Sequence, residues 1–566
     1  MTKPTEPSGV EKVKAASNGL RGHVAEELAN TVDHFEEETV QVLKHHGMYQ
    51  QDNRDLRGAK DAQGNKRGKV YSLMLRVKIP GGRLSAVQLV AQLDLCDALG
   101  NGTARITDRQ DIQLHEIPKR NLREAMRRIH EAELTTLGAC GDVVRNVLCC
   151  PAPFRNDAVR GAMQELASRL SRHLLPRTSA YREIWQGDSQ PNSPDHDAAA
   201  GGHGDGRDVE PLYGNVYLPR KFKIAFGLME DNCVDAYAND IGFLAIRSGN
   251  QTAGFNMVVG GGFGVTPSNK KTFPAVAQPL AFAEPDEVID LATAVVKVFR
   301  DFGNRSDRKR ARLKYVIADW GLDRFKATLA EYLGRRLTPP DPQDAAGCED
   351  HLGWHEQGDG RWFFGLFVEN GRILDREGFR LKSALREICR VYRPGILLTP
   401  QQNILFSDIA SADRSGLESI LRGHGVTLPD EVSLARRWSM ACVALPTCGL
   451  AITEAERALP SLMDQLEKAI EDAGLAGEKF TVRMTGCPNG CARPYNADIG
   501  LVGKTLGKYT IFLGGRLLGD RLAYLYKDLV PLDEIVPALL PILHRYKAER
   551  RDGETLGDFC YRVQAM

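Results

Sequence analysis

The chain has 566 residues, 42% of them hydrophobic and 26% charged, which is enough for several cores and excludes a disordered or fibrous bulk. Lysine and arginine number 74 against 73 aspartates and glutamates, so no general electrostatic case exists for a nucleic-acid or membrane-surface partner. No run of about 18 apolar residues occurs, the start Met1 to Gly9 lacks the apolar core of a signal peptide, and the expected address is the cytoplasm.

Residues 1–66 are polar and charge-mixed, with a helix expected around Val24 to Leu43 and then a stretch, His46 to Asp55, that alternates poorly for either regular element. Together they read as an N-terminal arm. Tyr71 to Pro80 alternates as a half-buried strand, Gly81-Gly82 turns it, and Val87 to Leu99 has helical spacing. Ala104 to His115 then alternates as a further strand region, with Arg105, Thr107, Arg109 and Gln113 on one face. Such a face could equally be solvated.

The same order returns about 290 residues later: Arg361 to Val368, a glycine turn at Gly371, a helical stretch Leu381 to Val391, and Leu397 to Phe406. Each copy leads into a longer α/β stretch with a glycine-rich strand pair, Asp240-Ile241-Gly242 with Gly260 to Gly264 first, then Asp498-Ile499-Gly500 with Gly514-Gly515. Two homologous halves meeting across a pseudo-twofold axis are expected, with a site at the junction. The Gly260 to Gly264 run fails the dinucleotide fingerprint, because Val265 stands where the last glycine belongs, and close packing of backbone against a macrocycle explains it better. Gly187 to Asp208 has no apolar residue larger than alanine and is expected to be a mobile loop, with His196 and His203 as solvent residues. The six cations from Arg305 to Lys314 fit a solvated helix face or a cofactor-facing patch.

Four of the twelve cysteines fall between positions 442 and 491. Five residues separate Cys442 from Cys448 and three separate Cys487 from Cys491, in loops rich in proline and glycine whose amides can donate to sulfur. Structural zinc favours tighter knuckles, so a four-thiolate iron–sulfur cluster fits better than zinc, and either fits better than four unrelated core cysteines. The other eight, including Cys149 and Cys150, have no partner spacing and read as buried small apolar residues.

With Arg145 to Cys149, Tyr217 to Lys223 and His46 to Asp55, the paired cysteine motifs resemble the sirohaem sulfite and nitrite reductase family, in particular the haemoprotein (beta) subunits that work with NADPH. The likeness runs over nearly the whole chain. It implies an α/β (α+β) fold of two homologous halves, each with a ferredoxin-like half-domain and a sirohaem-binding α/β domain. The corresponding division is 1–66 for the arm, 67–140 and 346–425 for the half-domains, 141–345 for the first sirohaem and substrate domain, and 426–566 for the cluster domain. The resemblance implies that Cys442, Cys448, Cys487 and Cys491 bind a [4Fe-4S] cluster and that Cys491 bridges to the sirohaem iron. It implies sulfite held by Arg76, Arg145, Lys221 and Lys223, and sirohaem carboxylates held by Arg105, Thr107, Arg109 and Gln113, with Arg220, Gln402 and Asn489 as weaker members. Sulfite reduction consumes protons, so such a site needs fixed cations that also donate hydrogen bonds. The sequence shows no flavin or nicotinamide fingerprint, and the resemblance implies an electron-donating flavoprotein alpha subunit that carries FAD and FMN and takes electrons from NADPH, the arm being a docking element. A ferredoxin-dependent sulfite or nitrite reductase is the nearest alternative, and a non-catalytic protein with a structural four-cysteine metal the more distant one. Gly449 and Ala492 depart from the residues frequent in the family at those positions, proline and glycine, and the chain stops soon after Phe559.

Overall fold

A computed structural model of the chain describes residues 6–57, 59–60, 68–186 and 210–564. The polar stretch Gly187 to Asp208, with His196 and His203, lies outside the described residues. Among the described residues no helix is long and apolar enough to cross a membrane.

The repeat is built as two five-stranded antiparallel sheets. The first takes its strands in the order Met48–Asp52, Tyr71–Val77, Ile112–Ile117, Ala104–Ile106, Arg372–Ile373; the second in the order Gly353–Glu356, Arg361–Leu366, Ile404–Ala410, Gly395–Leu398, Arg83–Ser85. Each half therefore lends a short edge strand to the sheet of the other. Tight glycine turns permit the exchange: Gly82 (φ +75°) and Gly371 (φ +72°) lie so close to the opposite half that an added Cβ would meet Leu398 O at 2.4 Å and Ile106 O at 2.2 Å respectively. A helix follows each lent strand, Ala86–Leu99 and Leu381–Tyr392, the former started by a capping box between Ser85 and Gln88.

Two further sheets share a topology. In one, Val144–Cys149, Phe222–Leu228 and Ile241–Ser248 run parallel and Gln251–Val259 and Gln278–Ala283 follow antiparallel; in the other, Ser439–Ala441, Val482–Thr485 and Ile499–Thr505 run parallel, followed by Lys508–Leu513 and Tyr524–Pro531. Registers coincide, with Phe226 opposite Phe243 and Met484 opposite Leu501. Asp235 and Arg493 occupy matching positions 258 residues apart in sequence, both with left-handed backbone (φ +55° and +57°), and pair with each other at 3.4 Å. The two halves meet there.

Several expectations change. The helix expected over Val24 to Leu43 is two helices, Val24–Ala29 and Glu37–Leu43. His46 to Asp55 contains a strand, Met48–Asp52, which forms the edge of the first sheet. The segment read as an arm lies against the body: His46 is fully buried, accepts a hydrogen bond from Trp185 Nε1 at 2.8 Å and contacts Leu20 O at 2.9 Å, and burial pushes its pKa down to about 4. Ala104 to His115 is a hairpin, because Thr107 Oγ1 accepts from the backbone of Arg109 and Asp111 and Gln110 takes a left-handed conformation (φ +55°). Most of the cations of 305–314 face protein, Lys309 being exposed: Arg305 pairs with Glu11, Arg308 with Asp142 and Arg312 with Asp240, while Lys314 donates to three backbone carbonyls. Within the Gly260 to Gly264 run, Gly261 packs against protein on the side a Cβ would take, that position lying 2.1 Å from Tyr237 O.

Candidate functional site

Parallel strands Ser439–Ala441 and Val482–Thr485 present loops at their carboxyl ends, where open α/β sheets hold ligands. Cys442 leaves the first strand, Cys487 and Cys491 the second. Cys448 reaches the group through a loop clamped by Arg54, which donates to Ala451 O at 2.8 Å and to Cys448 O. Backbone amides aim at the sulfurs: Gly486 N–H lies 3.4 Å from Cys442 Sγ, Leu450 and Ala451 donate to Cys448, and Asn489 donates to Cys487 from both backbone and side chain. Burial, and the proximity of Cys491, push the Cys487 thiol up to about 12. Among the described residues no three of these four sulfurs lie within 4.8 Å of one another. Four thiolates on one zinc ion, each about 2.3 Å from it, would stand about 3.8 Å apart. The observed spacing does not match a mononuclear zinc site, whereas a four-iron cluster takes its four thiolates at wider separations.

A second set of residues lines the first sheet. Arg76, Gln113 and Arg105 stand directly opposite one another on three adjacent strands, and Arg372 continues the row. Arg105 is tied down, with Nε 2.8 Å from Glu456 and Nη2 2.8 Å from Ala441 O. Thr107 spends its oxygen on the hairpin turn, and Arg109 donates to Asn146 O and, at 2.7 Å, to Asn239 Oδ1. Gln402 has the same turn position in the second half that Gln110 has in the first, and donates to Ala441 O as Gln110 donates to Cys149 O. Asn489 stands with the cysteines rather than with the arginine row.

Lys223 lies on strand Phe222–Leu228 and Lys221 just before it. Burial, then each other's charge for Lys221 and Arg109 for Lys223, lower both ammonium groups, Lys223 to about 7; both also feel Cys491. Arg220 pairs loosely with Asp142 at 3.8 Å. Arg145 is held by Gly141 O and Ala139 O, and Tyr49 hydrogen-bonds to it. The residues missed in sequence are Asp108, Arg493 and Tyr49. Burial would raise the Asp108 carboxyl, but Lys223, Arg493, Arg109 and Arg76 hold it below its usual range, so cations from four separate segments converge on it. Arg493, two residues past Cys491, was findable only by its position beside the cysteine motif.

Among the described residues, the buried atoms of this region without a hydrogen-bond partner include Arg76 Nε, Gln113 Oε1, Gln402 Oε1 and Arg493 Nε. Buried polar atoms are nearly always satisfied, so these atoms fit a polar ligand, and the two arginine nitrogens among them fit its anionic groups.

Comparison with known proteins agrees. The nitrite and sulphite reductase 4Fe-4S domain matches residues 140–337 and 435–564, and the nitrite/sulfite reductase ferredoxin-like half domain matches 65–132 and 355–424. The sulfite reductase [NADPH] hemoprotein beta-component of Staphylococcus saprophyticus is 42% identical over 98% of this chain and 95% of its own, and that of Chromohalobacter salexigens is 43% identical over 98% and 94%. The solved structure of Mycobacterium tuberculosis NirA protein superposes with a TM-score of 0.79 and 26% identity, covering 98% of this chain and 97% of its own. With its four-cysteine loops, its exchanged half-domains and these relatives, the chain belongs to the nitrite and sulfite reductase family, among the haemoprotein beta-components of sulfite reductase.

Proposed function

We propose that this oxidoreductase carries out the six-electron reduction of sulfite to sulfide, at a sirohaem coupled through Cys491 to a [4Fe-4S] cluster, with electrons from an NADPH-dependent flavoprotein. The observation that carries the reading is the burial of Lys223 within electrostatic reach of Arg109, Asp108 and Cys491 together. Substrate cations, cluster cysteine and cofactor-facing turn thus share one space.

The partnerless buried atoms fit sirohaem: Arg76 Nε and Arg493 Nε suit its carboxylates, which need cationic partners inside a protein. When bound, sirohaem and cluster supply one-electron chemistry at an iron that takes sulfite. Cys442, Cys448, Cys487 and Cys491 would hold the cluster, with Asn489 fixing Cys487. Arg105, Thr107, Arg109, Gln113, Arg220 and Gln402 would hold or orient the macrocycle. Arg76, Arg145, Lys221 and Lys223 bind the anion. Lys223, brought to about 7 by burial, releases a proton near neutrality to a departing oxygen and regains one from water. The division 67–140, 141–345, 346–425 and 426–566 assigns electron handling to the last segment and most anion contacts to the first two. Leu450 and Ile452, exposed beside Cys448 and the Arg54 clamp, give the flavoprotein an apolar contact close to the cluster, next to the 1–66 segment.

The test is anaerobic purification from cells that make sirohaem. A sirohaem absorption spectrum that sulfite perturbs, with about four non-haem irons per chain, supports the reading, as does loss of the perturbation in Cys491→Ser. Colourless protein carrying only zinc overturns it.

A further inference from the structure

Among the described residues, one group of side chains outside the cysteine loops has the geometry of a metal site. Cys150 Sγ, Cys233 Sγ, His351 and an Asp231 carboxylate oxygen all lie within 4.8 Å of one another, and all four residues are buried. Cys150 Sγ is 3.3 Å from Asp231 Oδ2 and 3.8 Å from His351 Nε2, and His351 Nε2 is 3.1 Å from Asp231 Oδ2. A tetrahedral zinc ion with ligands at about 2.0–2.3 Å has edges of about 3.3–3.8 Å. The ligand atoms are already close to those separations.

The position of the two cysteines is not arbitrary. Cys149 opposes Phe226 and Ala441 opposes Met484, and the next residues, Cys150 and Cys442, donate their N–H to those same partners at 3.0 and 3.1 Å. Likewise Cys233 precedes the Asp240-Ile241-Gly242 strand start by the interval that separates Cys491 from Asp498-Ile499-Gly500. Cys150 and Cys233 thus occupy, in the first half, the backbone stations that Cys442 and Cys491 occupy in the second. Asp231 matches Asn489, while His351, in left-handed backbone (φ +58°), enters from the segment that leads to the second half.

Charge also balances. Two thiolates and a carboxylate on a divalent ion leave one negative charge, and Arg160 Nη1 stands 2.6 Å from Cys150 Sγ and 3.0 Å from Asp231 Oδ2. Its guanidinium neutralises the site and hydrogen-bonds two ligands from outside, the support that metal ligands ordinarily receive. Mixed sulfur, nitrogen and oxygen donors at this spacing select zinc over magnesium or calcium.

We propose that Cys150, Cys233, His351 and Asp231 bind a structural zinc ion that staples the first α/β sheet to the segment entering the second half. Binding deprotonates both thiols and releases their protons to solvent.

The experiment uses full-length holoenzyme, purified without chelator, with zinc and iron counted by plasma mass spectrometry and the zinc environment read by X-ray absorption fine structure. About one zinc per chain, with two sulfur neighbours near about 2.3 Å and two nitrogen or oxygen neighbours near about 2.0 Å, is expected. Cys150→Ser with Cys233→Ser should remove the zinc at least tenfold and leave iron and sirohaem per chain unchanged. Should that variant be insoluble, the wild-type spectrum decides alone. Zinc below a tenth of an equivalent, a zinc shell with no sulfur or with four sulfurs, zinc retained by the double variant, or a Cys150–Cys233 disulfide in the intact protein each overturns the proposal.

Discussion

The two halves share a backbone plan and differ in what lines it. On the first sheet the row across adjacent strands is Arg76, Gln113, Arg105 and Arg372; the turn correspondence of Gln110 with Gln402 makes its counterpart Gly365, Leu405, Leu397 and Arg83. One row is polar and has atoms without partners, while Leu397 and Leu405 of the other are buried with Phe363 and covered by Phe154. A duplicated fold thus keeps one face open to an anionic ligand and closes its twin with side chains. The cysteine stations diverge in the same way: one pair belongs to the four-cysteine loops, the other to a tight mixed-donor group. Symmetry of backbone therefore places ligands, and side chains decide which symmetric station is used.

The most damaging change to the open face is expected at Lys223. Lys223→Met removes an ammonium that feels both Asp108 and Cys491, and turnover of sulfite should fall about a hundredfold or more, as for loss of a general acid. The wild type should show an alkaline limb: the amine, lowered to about 7 by burial and by Arg109, is charged below that pH and neutral above it, so sulfite use weakens as pH rises through 7. Lys223→Arg keeps the charge and should flatten that limb in a kcat/KM profile from pH 6 to 9. An unchanged limb in the arginine variant removes Lys223 from proton transfer.

Next comes conversion of the open row toward the closed one. Arg105→Leu installs the residue of its twin, Leu397, but leaves Glu456 buried with Arg372 as its remaining partner. A broken buried pair costs about 3–5 kcal/mol, and the retained Arg372 contact places this case near the lower figure, about 3 kcal/mol. The denaturant midpoint should fall, together with sirohaem content. A variant with normal midpoint and full sirohaem content would show that the row is not what separates the halves.

Much of this comparison was legible in the sequence. The repeat was visible because strand, glycine turn, helix and strand recur in order, and the four cysteines because they cluster. The strand exchange was not, since Arg372–Ile373 spans two residues and its partner Ala104–Ile106 belongs to the other copy. The Thr107 to Asp111 hairpin escaped because its turn uses a threonine hydroxyl and a left-handed glutamine where sequence rules look for glycine or proline. Cys150 and Cys233 were set aside as apolar for a similar reason: their grouping with Asp231 and His351 is made by sheet register, which no local spacing records.

The smallest expected effect lies at the closed face. Phe154 stands edge-on to Phe363, ring centroids 5.2 Å apart, and is only partly buried, so its truncation leaves an open notch rather than a sealed cavity. Full burial of a phenylalanine makes its loss cost about 3–5 kcal/mol; partial exposure reduces this to about 1–2 kcal/mol. Phe154→Ala should lower the unfolding midpoint slightly and leave sirohaem per chain and sulfite turnover at wild-type values, because the uncovered leucines offer nothing that pairs with carboxylates. Additional sirohaem bound by that variant would mean that the plug alone, rather than the missing arginine row, keeps the second face empty, and the contrast between the halves would be steric instead of electrostatic.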